Sequence, residues 1–139
     1  MKIILYLTFL KLIYLSAQIL TMATSKKKLM LKADGRIWIN TPEGKLVGKG
    51  RIELLEKIKE LGSIRQAALA MEMSYRQAWQ MIDDMNTKAK TILVISTRGG
   101  KGGGSATISK KGEQLITLFN SFNKKFQLFL SREEENFIF

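Results

Sequence analysis

The 139 residues carry 23 Lys and Arg against 12 Asp and Glu, a formal charge of +11, with 45% hydrophobic and 25% charged residues. That length and balance describe one ordinary globular domain with room for a normal core. Cysteine and histidine are both absent, which excludes disulfides and thiolate metal sites and removes the commonest general base and metal ligand.

No catalytic residue, metal site or cofactor is therefore expected, and carboxylate or lysine chemistry is all that the composition leaves to an enzyme. The charge is concentrated. From Lys26 to Lys125 there are 20 basic residues against 9 acidic ones, while the two ends cancel. A compact domain this basic most often faces a polyanion, plain solubility charge being the duller alternative.

Taken in order, residues 1–22 form an apolar leader. Lys2 followed by Ile3-Ile4-Leu5-Tyr6-Leu7-Thr8-Phe9-Leu10 resembles the start of a signal peptide, and apolar character resumes from Leu12 to Leu20. Lys11 interrupts the run, and a lysine at the centre of a span costs ~2.5–3.5 kcal/mol on insertion scales. The leader is read as the product of a start codon chosen upstream of the natural one, with Met22-Ala23-Thr24-Ser25-Lys26-Lys27-Lys28 as the polar beginning. A membrane anchor is the second reading.

Residues 29–47 read as β structure. Leu29-Met30-Leu31-Lys32 and Arg36-Ile37-Trp38-Ile39-Asn40 flank Asp34-Gly35, a two-residue hairpin signal. Thr41-Pro42-Glu43-Gly44 makes a further turn before the short extended Lys45-Leu46-Val47. This N-terminal hairpin is expected to pack on a helical core and to support dimerisation, with Trp38 as a packing residue.

From Arg51 to Leu61 the apolar positions Ile52, Leu55 and Ile58 predict a helix that ends at Gly62. Two further helix starts follow. Ser63 precedes Gln66 by three residues and Ser74 precedes Gln77 by three, the spacing of a capping box. Ile64, Ala67, Ala68 and Met71 fall at helical spacing, as do Tyr75, Ala78, Trp79, Ile82 and Met85. A short helix, a turn at Glu72-Met73 and a second helix over Ser74–Lys88 make a helix-turn-helix, with an ordinary helical hairpin as the alternative.

Thr91 to Thr97 is β-branched and apolar, Arg98 to Ser105 is a basic glycine-rich loop, and Ala106-Thr107-Ile108 reads as a return strand. Strand, loop and strand after a helix-turn-helix make a wing. The loop fails as a phosphate loop, because Gly102 rather than Ser or Thr follows Lys101, and it lacks the third glycine of a dinucleotide fingerprint. No nucleotide is expected. A merely flexible hairpin tip remains the other reading of the loop. Ser109 caps a last helix from Lys110 to about Leu130, whose Ile116, Leu118, Phe119, Phe122, Phe126, Phe129 and Leu130 exceed what a small core needs. That surplus predicts a partner subunit. Residues 131–139 read as a mobile tail.

Base readout needs long polar side chains near the start of a helix that enters the major groove. Arg76, Gln77 and Gln80 fit this role, since Arg pairs with guanine and Gln with adenine. Ser74 and Tyr75 suit phosphate or sugar, although Tyr75 also lies beside the apolar stripe. Arg65 and Gln66, opening the preceding helix, suit phosphate contacts that set register. Arg98 and Lys101 supply charge to the wing, and Lys110 and Lys111 suit the backbone beside it. Trp79 is core by spacing. The adjacent Asp83 and Asp84 point about 100° apart on a helix, so they read as polar surface rather than as a catalytic or metal pair.

Gly50-Arg51-Ile52-Glu53-Leu54-Leu55, Gly62-Ser63-Ile64, Met73-Ser74-Tyr75, Ala78-Trp79 and Gly99-Gly100-Lys101-Gly102-Gly103-Gly104 also carry a resemblance. Over roughly Leu29 to Phe119 the chain resembles the winged-helix domain of ModE-type molybdate-responsive transcription regulators. The resemblance implies a domain that binds operator DNA as a dimer. In such regulators a separate C-terminal region binds molybdate. It would have to follow Phe119, so molybdate binding is not expected from this chain alone.

The expected fold is mainly α with small β-hairpins: a winged helix-turn-helix over residues 26–130, with a three-helix core, a two-stranded wing, an N-terminal hairpin and a long C-terminal helix. The expected function is sequence-specific binding of double-stranded DNA by a cytoplasmic, homodimeric regulator, paired through the C-terminal helix and the N-terminal hairpin. A winged-helix protein-interaction module and a membrane-tethered regulator are the alternatives.

Overall fold

Periodicity and turn chemistry place the elements in a computed structural model that describes residues 2–23, 31–97, 99 and 104–137, with residues 2–6 and 19–23 described in backbone only. The chain divides into two units, Met1–Leu31 with Phe137–Phe139, and Lys32–Asn136. In the first unit the apolar leader forms a single helix, α1 (Lys2–Ala23). Among the described residues no helix is long and apolar enough to cross a membrane.

The second unit begins with a hairpin of β1 (Trp38–Thr41) and β2 (Gly44–Gly48), paired antiparallel. Its turn is Pro42-Glu43 rather than Asp34-Gly35. Pro42 presets the turn backbone, and Gly44 takes φ +112°, which side chains resist. The expected Asp34-Gly35 hairpin is corrected here, because residues 31–37 form no strand; Leu29 and Met30 lie outside the described residues. The Gly35 N–H is donated to the carboxylate of Asp34 at 2.7 Å, and the Ala33 N–H to Glu134 at 2.8 Å. The Ala33 donor that a ladder would use therefore goes to a carboxylate. Between Ile39 and Asn40 the register shifts, so that Leu46 has no opposite residue; this is a bulge that bends the strand. Leu46 and Val47 are buried.

Next comes α2 (Lys49–Leu61), which ends at Gly62 in the left-handed conformation (φ 66°). Its Ile52, Leu54, Leu55 and Ile58 are buried, as the apolar spacing predicts. The Ser halves of both expected capping boxes form. Ser63 accepts from the Gln66 N–H at the start of α3 (Ile64–Ala70), and Ser74 from the Gln77 N–H at the start of α4 (Tyr75–Ala89). The intervening turn puts Glu72 at φ 53°.

β3 (Val94–Thr97) and β4 (Ser105–Ile108) pair antiparallel, with Val94 opposite Ile108 and Thr97 opposite Ser105. The Ala106 N–H donates to the Gly62 carbonyl at 2.8 Å, tying β4 to the turn between α2 and α3. Ser109 caps α5 (Lys110–Glu134), which runs past the expected end near Leu130. One core joins the unit: Leu54, Leu55 and Ile58 of α2, Ile82 and Met85 of α4, Leu93 and Val94 at the start of β3, Val47 of β2 and Phe119 of α5. The architecture is mainly helical with two small antiparallel hairpins.

Candidate nucleic-acid interface

Three sides of α4 are tied down. Ala78, Ile82 and Met85 enter the core. On one flank the Asp84 carboxylate meets the Arg51 guanidinium at 2.6 Å and the Lys88 ammonium at 2.9 Å. Arg51 also donates to the carbonyls of Lys45 and Leu46 at the bulge, at 3.1 and 2.7 Å. On the other flank the Asn86 side chain accepts the Leu93 N–H at 2.8 Å, at the foot of β3. Hydrogen bonds from Lys88 and then Arg51 hold the Asp84 carboxyl below its ordinary pKa. Asp84 is thus an anchor rather than the bare polar surface read from the sequence; its four-residue spacing from Lys88 is the sequence signal for it.

The first two turns of the helix stay open. Ser74, Tyr75, Arg76, Gln77 and Gln80 are all exposed there. The ends of β3 and β4 are joined by a 2.6 Å bond between the hydroxyls of Thr97 and Ser105, and Arg98 and Lys101 lie outside the described residues. Arg65 and Gln66 are exposed in the first turn of α3, and Lys110 is exposed in the first turn of α5. Ser109 links that last helix to the segment entering β3, since its hydroxyl donates to the Ile92 carbonyl and accepts from the Gly112 N–H, at 2.6 and 3.1 Å.

Salt bridges sort the cations. Arg51, Lys57, Lys59, Lys88 and Lys90 are paired with carboxylates of this chain, whereas Arg65, Arg76 and Lys110 take part in no ion pair among the described residues. The described cations Lys45, Lys49, Lys111, Lys124 and Lys125, among others, likewise take part in none of these ion pairs. Trp79 requires a correction. It is 36% exposed rather than core, and its ring stands edge-to-face with the 51% exposed Tyr75. Ala78, Ile82 and Met85 already fill the buried seam, which leaves Tyr75 and Trp79 on its margin.

Among the described residues no group of three or more acidic side chains could hold a metal ion. A shallow depression of about 320 Å³ between the hairpin, the end of α4 and α5 is lined by residues such as Leu46, Ala89, Leu93, Lys88 and Lys111, with no carboxylate on its wall.

No family model matches the chain. It is 49% identical over 70 residues to the transcriptional regulator ModE of Yersinia pestis, covering 50% of this chain and 27% of that protein. The molybdenum transport protein ModE of Azotobacter vinelandii is 34% identical over 100 residues, covering 72% of this chain and 37% of that one. The DNA-binding transcriptional dual regulator ModE of Escherichia coli K12 is 44% identical over 70 residues, 50% of this chain and 27% of its own. The chain is homologous to ModE transcriptional regulators. It spans between about a quarter and just over a third of the length of these ModE relatives. Their names are those of regulators and molybdenum-handling proteins, not of enzymes.

Proposed function

We propose that this chain is a cytoplasmic transcriptional regulator that binds double-stranded DNA sequence-specifically, as a winged helix-turn-helix with α4 in the major groove. Arg76, Gln77 and Gln80 read base edges, Ser74 and Tyr75 contact phosphate or sugar, and Arg65, Gln66 and Lys110 hold the flanking backbone. The glycine-rich loop between β3 and β4, with Arg98 and Lys101, lies on the adjacent backbone or minor groove. One observation carries this reading. The Arg and Gln side chains of the first two turns of α4 are exposed, on a helix anchored along its other faces. Unpaired Arg65, Arg76 and Lys110 support it, because a cation free of intramolecular carboxylates keeps its full charge for phosphate or guanine.

The same reading makes the protein a homodimer. Leu118, Phe122, Leu128 and Phe129 are exposed along α5, and an apolar face of this kind suits a second copy. Two-fold symmetry calls for a nearly palindromic site with half-sites about one helical turn, or a multiple of it, apart. No molybdate site is proposed in this chain.

The test is selection of the full chain against a random-sequence duplex pool at about 50 mM and about 200 mM salt. A palindromic motif is expected, with affinity falling about 10³-fold or more if six or more phosphates are neutralised. Absence of a motif, or affinity indifferent to salt, would refute the reading.

A further inference from the structure

The polar stripe of the recognition helix has an apolar neighbour. Tyr75 and Trp79 stand four residues apart, with ring centroids 6.2 Å apart and planes at 86°. Each precedes a polar residue of the readout set, Arg76 and Gln80. At about 100° per residue, the aromatic stripe therefore lies beside the Arg76–Gln80 stripe on the same two turns. It falls between that stripe and the buried seam of Ala78, Ile82 and Met85. A third of the Trp79 surface and half of the Tyr75 surface remain open to solvent. The edge-to-face contact limits the rotamers of the indole before anything binds, so covering it costs little further entropy.

An apolar ring beside an Arg and a Gln that reach base edges has one apolar feature to meet in the major groove, the C5-methyl group of thymine. Cytosine presents an amino group in that groove, and the purines present N7 with O6 or N6, all polar. We propose that Trp79, held in place by Tyr75, is a specificity-determining residue that selects thymine through its methyl group. The proposal rests on the major-groove placement of α4 and adds a base identity to it. Arg76 and Gln80 specify purines by hydrogen bonds, and Trp79 specifies the thymine by excluded water and contact.

The experiment uses the full chain and the duplex recovered by the selection above. Each thymine is replaced singly by deoxyuridine, which deletes the methyl group and leaves base pairing intact. One thymine in each half-site is expected to be sensitive, its loss weakening binding about fourfold, the worth of one buried methyl group. Trp79→Ala is expected to bind the thymine duplex more weakly and to be indifferent to deoxyuridine at that position. Its discrimination at the Arg76 position stays intact. A deoxyuridine scan of the unmutated protein with no sensitive thymine overturns the proposal, and this arm needs no variant to fold. A sensitive thymine that Trp79→Ala still senses overturns it equally. If no motif is selected at all, the major-groove reading fails; a clear motif with a flat thymine scan removes only the role given to Trp79.

Discussion

Replacing Gly112 with Ala tests how the β3–β4 hairpin is held. Alanine inside a helix is ordinarily more stable than glycine by about 0.5–1 kcal/mol. At Gly112, however, an added Cβ would lie 2.5 Å from the Leu93 carbonyl oxygen and 2.6 Å from Ile108 Cγ2. Leu93 leads into β3 and Ile108 ends β4, so the methyl group presses on the base of both strands. The Leu93 oxygen already accepts the Ser109 N–H at 2.9 Å, and the Gly112 N–H donates to the Ser109 hydroxyl at 3.1 Å. Moving the helix away strains both bonds, and overpacking of this kind costs about 1–3 kcal/mol. With the propensity gain subtracted, a net loss of up to about 2.5 kcal/mol is expected. In a chain of this size each kcal/mol lowers the melting temperature by about 4 °C. Gly50 is the control. It lies in the first turn of α2, where a Cβ meets nothing within 4 Å, so Gly50→Ala is expected to be neutral or to stabilise by up to about 1 kcal/mol. Thermal and urea unfolding of the two variants would measure this. Equal stabilisation by both would refute the packing of α5 against the base of the β3–β4 hairpin.

Leu54→Ala, at a fully buried position of the central helix, is expected to destabilise by about 2–5 kcal/mol in urea unfolding. Asp84→Asn should show a pH signature. Because hydrogen bonds from Lys88 and Arg51 lower the Asp84 pKa, its contribution is present above the ordinary carboxylate range and is lost as pH falls through the lowered value. The stability gap between native protein and variant is thus expected at pH 7 and should close below about pH 4. Asp84 is more than a third exposed, so the gap at pH 7 should be at most about 1 kcal/mol after screening; a gap unchanged at pH 3 would contradict it.

Much of the fold was legible because local rules and burial agree. Ser63 and Ser74 cap the helices that their spacing predicts, Gly62 closes α2, and the run ending at Thr97 forms a strand. The Asp34-Gly35 signal failed for a non-local reason. Glu134, far along the chain, accepts the Ala33 N–H, and the ring of Phe126 lies against Gly35. No pattern within the segment encodes that contact. Trp79 was misread because helical spacing gives a direction and not a depth. Ala78, Ile82 and Met85 occupy the buried seam of the helix, and the indole stays at its edge. The polar members of the candidate site were legible as residue types on a helix start. What the sequence did not reveal was which cations are neutralised internally, since Arg51–Asp84 and Lys59–Glu113 pair across elements.

That sorting has a consequence for how the charge of +11 should be understood. If binding to DNA came from bulk electrostatics alone, removing any one positive charge would weaken it by a similar amount. Arg76→Ala and Lys57→Ala each remove one. Lys57 donates to Glu60 at 2.7 Å, and this contact raises its pKa, so its charge is already compensated within α2. Arg76 has no such partner among the described residues and sits in the first turn of α4. The expected result is that Arg76→Ala costs about 1–3 kcal/mol on the selected duplex and relaxes preference at a single base pair. Lys57→Ala should leave the selected motif intact and shift affinity by a few tenths of a kcal/mol at most. The two variants carry the same net charge, so competition binding against the same duplex isolates position from charge. Equal losses with the motif unchanged in both would mean that α4 does not read sequence, and that the basic surface binds DNA only as a polyelectrolyte.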